Sequence, residues 1–285
     1  GGPLPREKRL LYDSGIKVPM IIRFPNKDRA GELDNRLISF VDFAPTLLSL
    51  ININIPKYHQ GKAFEGKYKS KNNRKYIHAA ADRFDENYDM IRAVRDSRYK
   101  YLKNFYPEKP YYLPLEYREK MGTMQQLLTM EKNNELDSIQ SLWFRKEKAK
   151  EELFDTDLDP FELRNLADNP KYQNKLKELR NECENWMQQI GDKGHIPEVE
   201  LIETFWPNRI QPKTEEPVIK MIKNNLVVTC ETKGANIGYK YLKRDLEPWI
   251  GWRPYTKPIP YLKGNDKIQF MAHRIGFLPS QKIIY

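Results

Sequence analysis

Apolar and polar positions divide the chain into blocks of different period. Residues 17–25 (KVPMIIRFP) are an apolar run between a glycine turn and a proline-asparagine turn, which predicts a buried strand of an α/β sheet. Residues 42–50 carry an aspartate cap, a proline in the first turn and leucines at helical spacing, and predict a helix. Three short runs, 75–81, 90–95 and 99–103, are separated by polar turns and predict a small antiparallel sheet, the last two joined as a hairpin through Asp96-Ser97. Residues 115–150 are rich in Glu, Lys, Gln and Leu with weak periodicity, a pattern read as helical and compatible with extended loop. The clearest helix begins at Asn169-Pro170 and sets Tyr172, Leu176, Leu179, Cys183, Trp186 and Ile190 on one face. After Gly191 the period is lost, and the proline-punctuated stretch from Trp206 to Pro217 reads as a linker. Residues 226–230, 237–242 and 268–275 then read as strands between Gly, Pro and Asn turns, which predicts a small β-sandwich.

Length adds that 285 residues suit about two domains, each able to bury a core. The 49 Lys and Arg exceed the 39 Asp and Glu by ten, so the surface is basic. The longest apolar runs fall well short of the ~18 residues of a spanning helix, which argues against a membrane protein. No leader pattern is visible, but the chain opens on Gly1-Gly2-Pro3 without a methionine, and its start is expected to lie inside a domain. Cys183 and Cys230 have no metal-site spacing and are expected to be buried thiols in different domains. There is no glycine-rich phosphate loop, no Gly-x-Ser-x-Gly, and His59, His78, His195 and His273 are scattered, so no metal ligand is assigned.

Three segments change that picture. Residues 2–25 contain Lys8-x-x-x-Tyr12-Asp13-Ser14-Gly15-x-x-x-Pro19, which resembles a signature of the sulfatase family. Asp42-x-x-Pro45-Thr46 is similar to the family's Asp-x-x-Pro-Thr helix, and Glu152-Leu153-Phe154-Asp155 through Asp159-Pro160-x-Glu162-x-x-Asn165-Leu166 to a third family segment. Together they cover about residues 1–190. The resemblance implies an alkaline-phosphatase-like α/β sulfatase fold, represented by its C-terminal portion: 1–65 the end of the catalytic α/β domain, 66–192 a small antiparallel β subdomain with a helix, 193–217 a linker. Residues 218–285 resemble the C-terminal β-sandwich appended to chitobiases and some bacterial sulfatases.

The family hydrolyses sulfate esters or sulfamates with a formylglycine made from Cys or Ser and a bound Ca²⁺. The Cys/Ser-x-Pro-x-Arg precursor sequence is absent here, and the resemblance places the calcium ligands mostly upstream of Gly1, so this chain alone is expected to be inactive. Lys8 matches the family lysine that contacts the sulfate, where a cation neutralises charge on the sulfuryl oxygens and the leaving oxygen. Arg9 is read as a surface or framework charge, while Arg6, behind Pro5 in a rigid loop, can approach an anionic substrate. The turn holding Arg83 and Asp85 either reads a sugar, through a planar guanidinium fork and a hydroxyl acceptor, or closes on itself as an ion pair. His78 on the preceding strand serves as a substrate contact or a core histidine.

The cluster Arg92, Arg95, Arg98, Lys100 and Lys103 has interleaved aromatics that suggest a nucleic-acid face, but strand alternation explains it as one core side and one solvated basic side. The family resemblance turns the basic charge toward an anionic saccharide rather than nucleic acid. Trp249 and Trp252 invite a carbohydrate-binding reading, yet burial in a core is the commoner use of such residues, and the last domain is expected to be a packing module. The loop before Lys8 is close to heparan N-sulfatase-like enzymes. It points to a sulfated glycosaminoglycan such as heparan sulfate as partner and to a secreted or periplasmic enzyme. The alternatives are a phosphoester or phosphonate hydrolase of the same superfold and a non-catalytic saccharide-binding remnant.

Overall fold

The computed structural model describes residues 10–84, 86–242, 251–261 and 267–285. The chain divides into two compact units, 1–194 and 195–285. In chain order the first unit holds α1 (Asp13–Ile16), α2 (Phe43–Leu50), β1 (Ile77–Phe84), β2 (Asn87–Arg95), β3 (Tyr99–Asn104), α3 (Glu116–Glu119), α4 (Gly122–Lys132), β4 (Glu151–Asp155) and α5 (Gln173–Ile190).

The predicted antiparallel sheet is present and gains a fourth strand, in the order β1-β2-β3-β4. Its register runs Ala93↔Leu102 and Val94↔Tyr101 between the middle strands, then Tyr101↔Leu153 onto β4. Alternation along the strands sends Val94, Tyr101 and Leu153 to one face, where α5 covers them with Leu176, Leu179 and Cys183. The opposite face presents Ile91, Ala93, Leu102 and Phe154 to Leu10, Leu11, Tyr12, Leu115 and Trp143. A sheet covered on both sides explains why β2 reads as an unbroken apolar run around Arg92. The α5 helix begins behind a 3₁₀ turn at Pro170–Tyr172, where Asn169 accepts from the Lys171 amide, and stops at Gly191 in the left-handed conformation. Its last predicted core residue, Ile190, is exposed. Between 115 and 150 the helical reading holds for α3, α4 and a short 3₁₀ turn at Gln140–Phe144.

Residues 17–25 depart from expectation. They are extended but pair with no strand among the described residues, and Ile21 is 95% exposed. An apolar strand of this kind needs sheet neighbours on both edges, and the described residues of this unit build only the antiparallel sheet. The α2 helix is turned the same way. Thr46 and Ser49 are buried while Leu47 is 61% exposed, because Thr46 Oγ1 and Ser49 Oγ accept from the backbone N–H groups of Phe64 and Tyr68. Asp42 ties the same loop down by accepting from Ser39 N and Lys62 N and pairing with Arg74. The close approach requires Gly61, where a Cβ would lie 1.8 Å from the Val41 carbonyl oxygen.

The second unit holds α6 (Glu198–Phe205), β5 (Val218–Ile222), β6 (Asn225–Thr229), β7 (Asn236–Tyr241), β8 (Arg253–Pro254), β9 (Ile259–Pro260), β10 (Ile268–His273) and β11 (Ile283–Ile284). Two antiparallel sheets, β11-β10-β7-β8 and β5-β6-β9, enclose Leu226, Val228, Ile259, Ile268 and Phe270, which is the predicted sandwich. The stretch expected as linker contains α6, and its later part joins this unit through a bridge between Lys213 and Leu278 and a buried Thr214. Both cysteines are free. Cys183 is buried, whereas Cys230 is half-buried with its thiol toward the Glu215 carbonyl, because it follows the end of β6 rather than facing the core.

Leu179 has no exposed surface and sits centrally under the sheet. Leu179→Ala is expected to cost about 2–5 kcal/mol of stability, read as a lower urea midpoint in equilibrium unfolding, whereas Ile190→Ala should change it by less than about 0.5 kcal/mol.

Candidate functional site

The first and third family-like segments meet on one face of the sheet. Leu10, Leu11 and Tyr12 are buried there, and Tyr12 donates its hydroxyl to Glu152 on β4 at 2.9 Å. Glu152 also accepts from Asn104 Nδ2 at 2.7 Å. One turn further, the Lys100 ammonium has no exposed surface and lies 2.5 Å from Asp13 and 2.7 Å from Glu162, with the Leu11 carbonyl at 3.1 Å. Arg95 reaches the other Asp13 oxygen at 3.1 Å. Glu162 Oε2 accepts from the Asp13 amide, and burial pushes the Glu162 carboxyl above the usual carboxylate range against the pull of Lys100. Asp13 comes from the first segment and Glu162 from the third, so these segments owe part of their pattern to a buried charge cluster that anchors the chain just after Arg9.

Lys8 and Arg6, the leading candidates, lie outside the described residues, as does Asp85. Arg83 is exposed on β1 with its guanidinium 5.8 Å from the centre of the Tyr88 ring. Lys109 approaches the same ring at 5.5 Å and the Tyr106 ring at 4.7 Å. The Tyr88 hydroxyl donates to the Gly194 carbonyl at 2.6 Å. His78 faces α5, stacked on Trp186 at 4.8 Å and bonded to Glu182 at 2.9 Å. Burial holds its imidazole below the usual histidine range, with Glu182 opposing that shift. The structure thus brings His78 to the sheet–helix contact and Arg83 to the surface.

The expectation of a solvated basic face fails. Arg92 is 1% exposed and makes a bidentate pair with Asp192 at 2.6 and 2.8 Å, while Nη1 donates to Asp82 at 2.6 Å. A register shift between Ala81 and Arg83 turns Asp82 toward it. Arg98 clasps Asp155, and Lys103 pairs with Glu184. Apart from Asp82, ten residues from Arg92, these acids stand 57 to 100 residues away in sequence, where alternation cannot reveal them. Among the described residues no group of three or more His, Cys, Asp or Glu side chains is placed to hold a metal ion, so they do not fit a calcium site.

The family model for N-sulphoglucosamine sulphohydrolase, C-terminal, matches residues 6–141. An ulvan-active sulfatase of Formosa agariphila is 52% identical over 284 residues, 99% of this chain and 47% of its own length. The chain carries the C-terminal part of a sulfatase. Human N-sulphoglucosamine sulphohydrolase is 24% identical over 212 residues, 67% of this chain and 40% of that protein. A solved 2-O GAG sulfatase is 23% identical over 53% of this chain and 25% of its own, with a TM-score of 0.35. The chain therefore spans about half the length of the curated relatives it matches.

Two outcomes follow for this sulfatase part. Lys100→Met leaves Glu162 buried without its cation and Asp13 with Arg95 alone, and is expected to cost about 3–5 kcal/mol, whereas Lys103→Met at the half-exposed pair should cost under about 1 kcal/mol, both read by urea unfolding. By NMR titration, His78 should protonate below the ordinary histidine value, and Glu182→Gln should lower its pKa further because the opposing carboxylate is gone.

Proposed function

We propose that the protein carrying this chain is a sulfatase that hydrolyses sulfate groups of a sulfated polysaccharide, with ulvan ahead of heparan sulfate. What carries the reading is the 52% identity over 99% of the chain with an ulvan-active sulfatase. The glycosaminoglycan reading keeps the support of the family model and of the human relative, at 24% identity. Lys8 supplies a cation beside the sulfuryl group. As the S–O bond breaks, electron density moves onto the leaving oxygen, and a fixed ammonium stabilises that charge more than it stabilises the ground state. Arg6, Arg83 and Asp85 orient the saccharide around it. A polymer too large to cross a membrane unaided places the enzyme outside the cytoplasm, secreted or periplasmic. Calcium and the formylglycine belong to the half of the protein that this chain does not contain.

The test uses the enzyme expressed from its complete coding sequence, with inorganic sulfate released from ulvan and from heparan sulfate quantified side by side. We expect kcat/KM on ulvan to exceed that on heparan sulfate by at least about tenfold. The reverse order would exchange the substrates, and phosphate release from a phosphoester with no sulfate release from either polymer would overturn the reading. Lys8→Ala is expected to lower kcat by about 100-fold or more with the unfolding temperature unchanged. Near-normal turnover would remove Lys8 from the site.

A further inference from the structure

Charge is unevenly distributed along the chain. Residues 218–285 contain twelve Lys and Arg against four Asp and Glu, a net +8 of the chain's +10. A fold needs no such surplus, because like charges repel in the compact state, so it marks a surface that meets polyanions.

Within this unit one face of a sheet carries an aromatic plate. Tyr239 and Tyr241 of β7 and Ile268 and Phe270 of β10 belong to the sandwich core. Alternation therefore turns Gly238, Lys240, Gln269 and Met271 to the outer face, where the register sets Met271 opposite Gly238 and Gln269 opposite Lys240. Trp252, the residue before β8, lies on this outer face against Gly238, where an added Cβ would meet indole Cε3 at 3.2 Å. Trp252 is 37% exposed, contrary to the expected core tryptophan, and Lys240 Nζ stands 5.5 Å from the centre of its ring. The bare glycine lets the indole rest on the strand without entering the core.

We propose that this face is a secondary binding platform for an anionic polysaccharide: Trp252 stacks on the apolar face of one sugar ring, Lys240 neutralises a sulfate or carboxylate beside it, and Gln269 offers a neutral hydrogen-bonding edge. Choosing a sugar polymer over other polyanions rests on the proposed function. The 52%-identical ulvan-active relative aligns across this unit as well as the first. The platform keeps a polymer on the enzyme between turnovers and does no chemistry itself.

The experiment compares the full-length enzyme with Trp252→Ala, Trp252→Phe and Lys240→Gln. Migration is measured in native gels cast with ulvan, with desulfated ulvan or with single-stranded DNA, and sulfate release is measured on ulvan and on a sulfated disaccharide cut from it. Unfolding temperatures establish that each variant is folded, and Trp252→Phe keeps a stacking ring. We expect Trp252→Ala to lose retardation by ulvan and to raise KM on the polymer about five- to tenfold at unchanged kcat, with the disaccharide unaffected and Trp252→Phe near wild type. Lys240→Gln should weaken retardation and flatten its salt dependence, and desulfated ulvan should retard less. Retardation by ulvan that survives Trp252→Ala overturns the platform while leaving the proposed activity intact. Retardation by single-stranded DNA that equals that by ulvan and depends equally on Trp252 also overturns it, in favour of a nucleic-acid surface. Absence of sulfate release from any polymer, with Trp252-dependent retardation by ulvan retained, overturns the catalytic reading and leaves the platform standing.

Discussion

A lysine ammonium shut away from water, that of Lys100, sets the terms for the rest of the first unit. Removing a charge from solvent costs several kcal/mol, and the loss is offset only when opposite charges and lone pairs surround it closely. Lys100 obtains Asp13, Glu162 and the Leu11 carbonyl, which come from both ends of the unit. The sheet can therefore be completed in one way only, with residues 10–16 laid across β3 and the loop after β4 folded back over them. Arg92 repeats the device on the other face, where Asp192 and Asp82 hold the end of α5 and the edge of β1 together. In both places the specificity of the packing comes from charge, while its net stability comes from the apolar residues around it.

Seen from this arrangement, the family-like segments have two kinds of content. Tyr12, Asp13, Glu152 and Glu162 make the contacts that join the segments to the sheet. Asp42 and Thr46 do the same for α2, fastening a loop to its polar side. Part of the sulfatase signature is thus a record of how the scaffold closes. Lys8, outside the described residues, precedes the buried Leu10 by two positions in the sequence.

The local pattern was enough for elements whose neighbours lie close in sequence. The hairpin through Asp96-Ser97 and the α5 face of Leu176, Leu179 and Cys183 were both legible, as were β6, β7 and β10 of the sandwich. What escaped depends on distance along the chain. Lys100 and Arg92 read as solvated because their acids lie far away, and residues 17–25 read as a buried strand because apolar content does not say whether a neighbour is present. β4, Glu-Glu-Leu-Phe-Asp, lacks the apolar alternation that marks a strand. Trp252 was expected inside for a sound statistical reason, and one glycine on the adjoining strand reversed it. Of the candidate site, His78 and Arg83 are placed, and both engage aromatic neighbours within their own unit.

The separation of Asp13 from Glu162, 149 residues, also sets a clock. A ribosome adding about 5–20 residues per second needs roughly 7–30 seconds to cover that distance. Over the last 62 residues of the interval, from Lys100 to Glu162, Lys100 has been made with one of its two acids, β3 lacks the completed strand that borders it, and α5 does not exist to cover the sheet. The nascent chain must wait with a half-built sheet, exposing apolar strand faces to the cytosol. Its vulnerability to proteases and its need for chaperones should be greatest in that window and should end abruptly when Glu162 and the residues of α5 leave the exit tunnel.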